Sequence, residues 1–159
     1  MLDEDREGIG AEPETPAVRA ARALGYAGLA PFVVLSLWLY AIAPDHEWRD
    51  GTIVLLVVYG AVILSFLGGV RWGMALSDGV DQAPADFAAA IVPALVGWLA
   101  VAMPPPYCFA VLAVAFAAHG AWDTLAVHQM KAPDWYGRMR MILTMVVVAT
   151  MIVAFIATG

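Results

Sequence analysis

Charge is scarce in this chain. Only 14% of its 159 residues are Asp, Glu, Lys or Arg, against 62% hydrophobic residues and a mean hydropathy of +0.78. A soluble domain with that balance would be short of polar surface, so the composition excludes one. Cys108 is the single cysteine, which rules out an intrachain disulfide and any thiolate zinc or iron–sulfur site built from this chain alone. The basic residues are too few and too scattered to neutralise a row of phosphates, so a nucleic-acid surface is not expected. GxSxG, Walker, HExxH and CxxC patterns are all missing, and no catalytic constellation or metal motif stands out. The N-terminus has no basic segment leading at once into an apolar core, and its acids do not fit an organelle transit peptide; the first apolar run is expected to be retained.

What remains is a series of apolar runs near the ~20 residues that cross a bilayer. They predict an all-α polytopic membrane protein, a five-transmembrane-helix bundle with helices over about 23–43, 52–76, 86–103, 107–127 and 141–158. Residues 17–159 then form one transmembrane domain with no room for a soluble catalytic domain. Residues 1–16 hold Asp3, Glu4, Asp5, Glu7, Glu12 and Glu14 with Gly and Pro, and predict a disordered acidic tail that accounts for much of the formal charge of -6. Pro31 should bend the first run, with Gly25 and Gly28 assisting. Pro93 and Gly97 interrupt the third, and Pro104, Pro105 and Pro106 end it in a tight hairpin with the fourth. Trp48 and the pair Trp135 and Tyr136 lie in polar connections where aromatic side chains anchor at the membrane interface.

The second run, YGAVILSFLGGVRWGMAL, organises the rest. Ala61, Ser65, Gly69 and Gly73 fall four apart and form a stripe of small residues at which another helix is expected to pack closely. Arg71 points roughly 160° away from Gly69, on the other flank. Arg71 and Asp123 each lie four or five residues from the inner ends of their runs, so both should sit ~6–8 Å below the boundary and pair across the second and fourth helices. His119 is one turn before Asp123 on the same face, with Trp122 adjacent. Arg71, His119, Trp122 and Asp123 are thus a candidate intramembrane polar cluster. It reads either as a structural ion pair that sets helix register or as a site for a ligand or proton. A proton relay has only Tyr59, Ser65 and Tyr107 to continue it outward. A haem needs a second axial ligand, for which His46 and His128 lie in loops at opposite faces and Met74 or Met103 would have to substitute. No cofactor and no metal are expected.

Basic residues of short loops stay on the cytoplasmic side. Arg6, Arg19 and Arg22 precede the first helix and Lys131, Arg138 and Arg140 lie between the fourth and fifth, whereas Arg49 alone is in the opposite loops. The N-terminus is expected inside and the C-terminus outside.

The segments YGAVILSFLGGVRWGMAL, LGYAGLAPFVV and PDWYGRMRMILT resemble the transmembrane protein 69-like family of small membrane proteins, a domain-of-unknown-function family. The resemblance covers nearly the whole chain after the acidic tail. It implies a multi-span protein of the bacterial inner membrane or, in eukaryotes, the mitochondrial inner membrane, and it supplies no activity or catalytic residues. The expected function is that of a non-enzymatic accessory, assembly or scaffolding component, with the lipid bilayer and other membrane proteins as partners. The alternative is a binder or carrier of a small hydrophobic ligand, a quinone, tetrapyrrole or lipid, in a polar-lined pocket near Arg71, His119, Trp122 and Asp123.

Overall fold

A computed structural model describes residues 15–77, 84–128 and 134–159, without the side chains of 125–128 and 134. The acidic tail expected over 1–16 therefore lies, up to residue 14, outside the described residues. Among the described residues the chain is entirely helical: α1 Pro16–Ala27, α2 Ala30–Ala41, α3 Arg49–Ser77, α4 Pro84–Val101, α5 Tyr107–His128 and α6 Asp134–Thr158. Four stretches, Pro16–Ala41, Arg49–Ser77, Pro84–Val101 and Trp135–Thr158, are long and apolar enough to cross a membrane. Helix α5 is 22 residues long, with His119, Trp122 and Asp123 in its later turns.

The first apolar run divides in two. Thr15 caps α1, accepting from the Val18 amide, and the break falls at Gly28 and Leu29, ahead of Pro31 in the first turn of α2. Pro31 has no amide to donate to the Ala27 carbonyl four residues earlier, and the helix is interrupted between them. The Tyr59 hydroxyl of α3 donates to the Gly28 carbonyl at 2.9 Å. Its ring meets Phe32 edge-on at 4.9 Å, and Phe32 in turn meets Phe116 of α5 at 5.7 Å. The break is thus tied to the core. Around these rings, Leu39, Leu56, Leu64, Phe109, Leu112, Met151 and Ala154 are fully enclosed.

Helix α6 packs against α2 on one side and α5 on the other, and α4 lies against α3 and α5. At one end of the bundle, Arg49 at the start of α3 donates to the Leu39 carbonyl near the end of α2 at 3.4 Å, and to the Ala157 carbonyl near the end of α6. The helices therefore alternate in direction. Helix α6 starts at Asp134, seven residues ahead of the expected 141, so Arg140 is a helical residue and not part of a connection.

Only part of the small-residue stripe expected on α3 is used for packing within the bundle. Ala61 packs against Gly97 of α4, where an added Cβ would lie 3.1 Å from the Ala61 Cα. Ser65, Gly69 and Gly73 instead face outward, with nothing within 4 Å of a Cβ built on either glycine, and the Ser65 hydroxyl donates to its own helix at the Ala61 carbonyl, 2.8 Å away. The close approach runs one residue off, through Gly68: a Cβ there would meet the Ala90 carbonyl oxygen at 2.5 Å and the Pro93 ring at 3.6 Å. The bulky Leu64 and Leu67 are on that same face, and burying them decides which way α3 turns.

Candidate functional site around Asp123

Asp123 is the carboxylate on which three helices converge. It lies in α5 one turn after His119, and α5 approaches α6 closely because position 120 is glycine. A Cβ at Gly120 would lie 2.5 Å from Thr144 Oγ1, a clash with the neighbouring helix. Arg140, one turn before Thr144 on α6, is carried by that contact to Asp123, and its Nε donates to Oδ2 at 2.7 Å. From α3, Arg71 Nε stands 3.1 Å from Oδ1, and His119 Nε2 is 3.8 Å from the same oxygen. The Arg71, Arg140, His119 and Asp123 side chains are only 10%, 9%, 3% and 5% exposed. Trp122 stacks on the cluster, with Arg71 Cζ 4.3 Å from its ring centroid and His119 edge-on at 5.8 Å. That position over the ring face is attractive for a cation.

The expected polar residues Arg71, His119, Trp122 and Asp123 thus stand in one place, and Arg140 stands with them. Arg140 falls outside the helix expected over 141–158, because the charged first turns of α6 look unlike a membrane helix. Its signal in the sequence is depth: like Arg71, Arg140 borders an apolar run at the same end. Among the described residues, no group of three His, Cys, Asp or Glu side chains comes together to hold a metal. His46 is at the far end of the bundle, and the side chain of His128 lies outside what is described.

The cluster is unbalanced in charge and in hydrogen bonding. Two guanidiniums face one carboxylate; the charges acting on His119 and on nearby Tyr136 are those of Asp123, Arg140 and Arg71. Arg71 Nε is within ion-pair distance of Asp123 but out of line for a hydrogen bond, and Arg71 Nη2 and His119 Nδ1 are buried with no hydrogen-bond partner. Taking an ion out of water costs several kcal/mol, and a close pair at an effective dielectric of ~20 returns ~4 kcal/mol. One carboxylate therefore compensates one arginine well, and the second only in part.

A groove of about 680 Å³ runs between α4 and α5 up to this cluster. Its walls are apolar, with Val92, Pro93 and Val96 on α4 and Val111 and Ala115 on α5, while His119 and Trp122 close the cluster end. Val92 and Val114 are 51% and 70% exposed, so the groove opens sideways on the outer surface of the bundle. A second cavity of about 400 Å³ lies on the opposite side, bordered by Leu24, Phe66, Tyr136 and Arg140. Arg140 of the polar cluster borders this second cavity, as His119 and Trp122 border the first.

Comparison with known proteins agrees with a membrane protein of unassigned activity. Transmembrane protein 69 of Xenopus tropicalis is 32% identical over 160 residues, an alignment that covers 95% of this chain and 58% of that protein's length. No solved structure matches the chain. Residues 17–156, which include every helix that builds the cluster, match the family model described as "Protein of unknown function (DUF3429)", and the chain belongs to that family.

Proposed function

We propose that this protein is a non-catalytic, five-span membrane protein that binds or carries a small hydrophobic ligand in the groove between α4 and α5. The reading is carried by one observation: the groove is apolar along its length yet ends on His119, whose buried Nδ1 has no hydrogen-bond partner. Binding sites for small molecules have this character, ~300–1,000 Å³ of apolar wall with a few polar groups that fix orientation. The sideways opening admits a ligand from the lipid phase. Helix α5 completes five spans, with the N-terminus and the Asp123 end inside and the C-terminus outside. The exposed Arg19 and Arg138 support that orientation, while Arg140 drops out of the loop count because it is committed to Asp123. The setting is a bacterial inner membrane, or the mitochondrial inner membrane of a eukaryote.

The test is native mass spectrometry of the full chain released from lipid nanodiscs. Wild type is expected to retain a bound small molecule, and Ala115→Phe, which fills the groove, to lose it. Wild type that is empty under conditions preserving annular lipid would overturn the reading.

A role as an accessory or scaffolding component is favoured by a different observation, the outward-facing Ser65, Gly69 and Gly73 on α3. Small residues on a lipid-facing surface admit a second helix at short range. Photo-crosslinking from position 69 in native membranes should then give protein adducts, and lipid adducts alone would remove this reading.

A further inference from the structure

The guanidiniums of the polar cluster are short of an acceptor. Each guanidinium has five N–H donors and no acceptor, whereas one carboxylate has about four lone-pair sites. Arg140 takes Oδ2 in line, and Arg71 meets Oδ1 only out of line, leaving its Nη2 buried and without an acceptor. His119, whose Nδ1 is also buried without a partner, lines the cluster end of the groove. Trp122 lines the same end and carries Arg71 over its ring. Among the described residues the cluster therefore carries one more guanidinium than carboxylate.

We propose that the groove ligand is an anionic amphiphile, with its negatively charged oxygen head on Arg71 at the edge of Trp122 and its hydrocarbon chain between α4 and α5. An anionic head neutralises the excess guanidinium and supplies an acceptor for Arg71 Nη2, in a setting where charge-assisted hydrogen bonds are strong. The apolar walls of the groove offer nothing to a second charge, so a single head at one end of a chain is what fits. A carboxylate head and a phosphate head share this chemistry. The inference rests on the groove reading above and adds the sign of the ligand's charge.

The experiment uses the full chain in detergent and two matched pairs of probes: oleate against oleyl alcohol, and phosphatidic acid against diacylglycerol. Binding of each is measured by native mass spectrometry at a pH where the acids are ionised. The expected result is that the anionic member of at least one pair binds about tenfold tighter than its neutral partner. The pair with the larger ratio identifies the head as carboxylate or phosphate. Arg71→Gln should bring the two members of that pair to equal affinity, Arg71→Lys should keep the preference, and Ala115→Phe should weaken both members together. Equal binding of acid and neutral analogue by wild type overturns the anion site and leaves the groove reading standing. Failure of all four probes to bind overturns both. A preference that survives in Arg71→Gln overturns the role of Arg71, and if that variant does not fold, the wild-type ratios decide alone.

Discussion

Arg49 and Arg71 are both on α3, near its opposite ends, and their charges are met in different ways. Arg49 is answered by backbone: its guanidinium donates to the carbonyls of Leu39 and Ala157, near the C-terminal ends of α2 and α6. Those carbonyls have no partner within their own helices and lie at the negative end of each helix dipole. Arg71 lies beside α5, where the backbone groups are already engaged in helical hydrogen bonds, so only a side chain can answer it. Asp123 does so, while also holding Arg140. An arginine at a helix end is thus satisfied by what any helix offers; an arginine beside the middle of a helix requires a carboxylate to have been placed for it.

Substitutions at the two ends sharpen this contrast. Asp123→Asn has the largest expected effect, a loss of about 3–5 kcal/mol, because two buried guanidiniums lose their counter-charge together. Equilibrium unfolding in mixed micelles measures it, and adding Arg140→Gln to the same chain should recover part of the loss. Gly120→Ala comes next, at about 1–3 kcal/mol, since the methyl group overlaps Thr144 and pushes α6, with Arg140, off Asp123. A variant as stable as wild type in the same assay would break the link between that close approach and the cluster. Arg49→Gln should cost about 1–2 kcal/mol, less than Asp123→Asn, because the carbonyls it leaves behind carry only partial charges. Parity between the two variants would erase the contrast. The smallest effect is expected from Gly69→Ala, within about 0.5 kcal/mol of wild type, where its neighbour Gly68→Ala should behave like Gly120→Ala. Thermal unfolding of the four alanine and glutamine variants side by side gives the ranking.

Much of this was legible before any coordinates. Arg71 and Asp123, matched in depth by counting residues from the ends of two apolar runs, stand 3.1 Å apart. The spacing of His119 and Asp123 put them on one face because α5 is regular there. The bend at Pro31 was legible as chemistry, but the Tyr59 hydroxyl on the Gly28 carbonyl beside it was not, since Tyr59 is 31 residues from Gly28 and only packing brings them together. Arg140 was hidden by the polar opening turns of α6, which lower hydropathy where the helix has already begun. The stripe of Ala61, Ser65, Gly69 and Gly73 is a smooth face by its spacing, but spacing does not say which helices of the same chain use it, and only Ala61 packs within the bundle. Gly68 and Gly69 are adjacent and alike in sequence, yet one touches Ala90 and the other touches nothing.

Composition and periodicity were enough to determine that the chain is helical, belongs in a membrane and must bury a few charges, because bilayer thickness and backbone hydrogen bonding leave a long apolar chain few other options. Which charges meet, and in what ratio, was decided by the helix packing: the close approach of α6 at Gly120, where an added Cβ would lie 2.5 Å from Thr144 Oγ1, carries a second arginine to Asp123. Among the described residues the excess of guanidinium over carboxylate is a property of three helices brought together, and no one of them contains it.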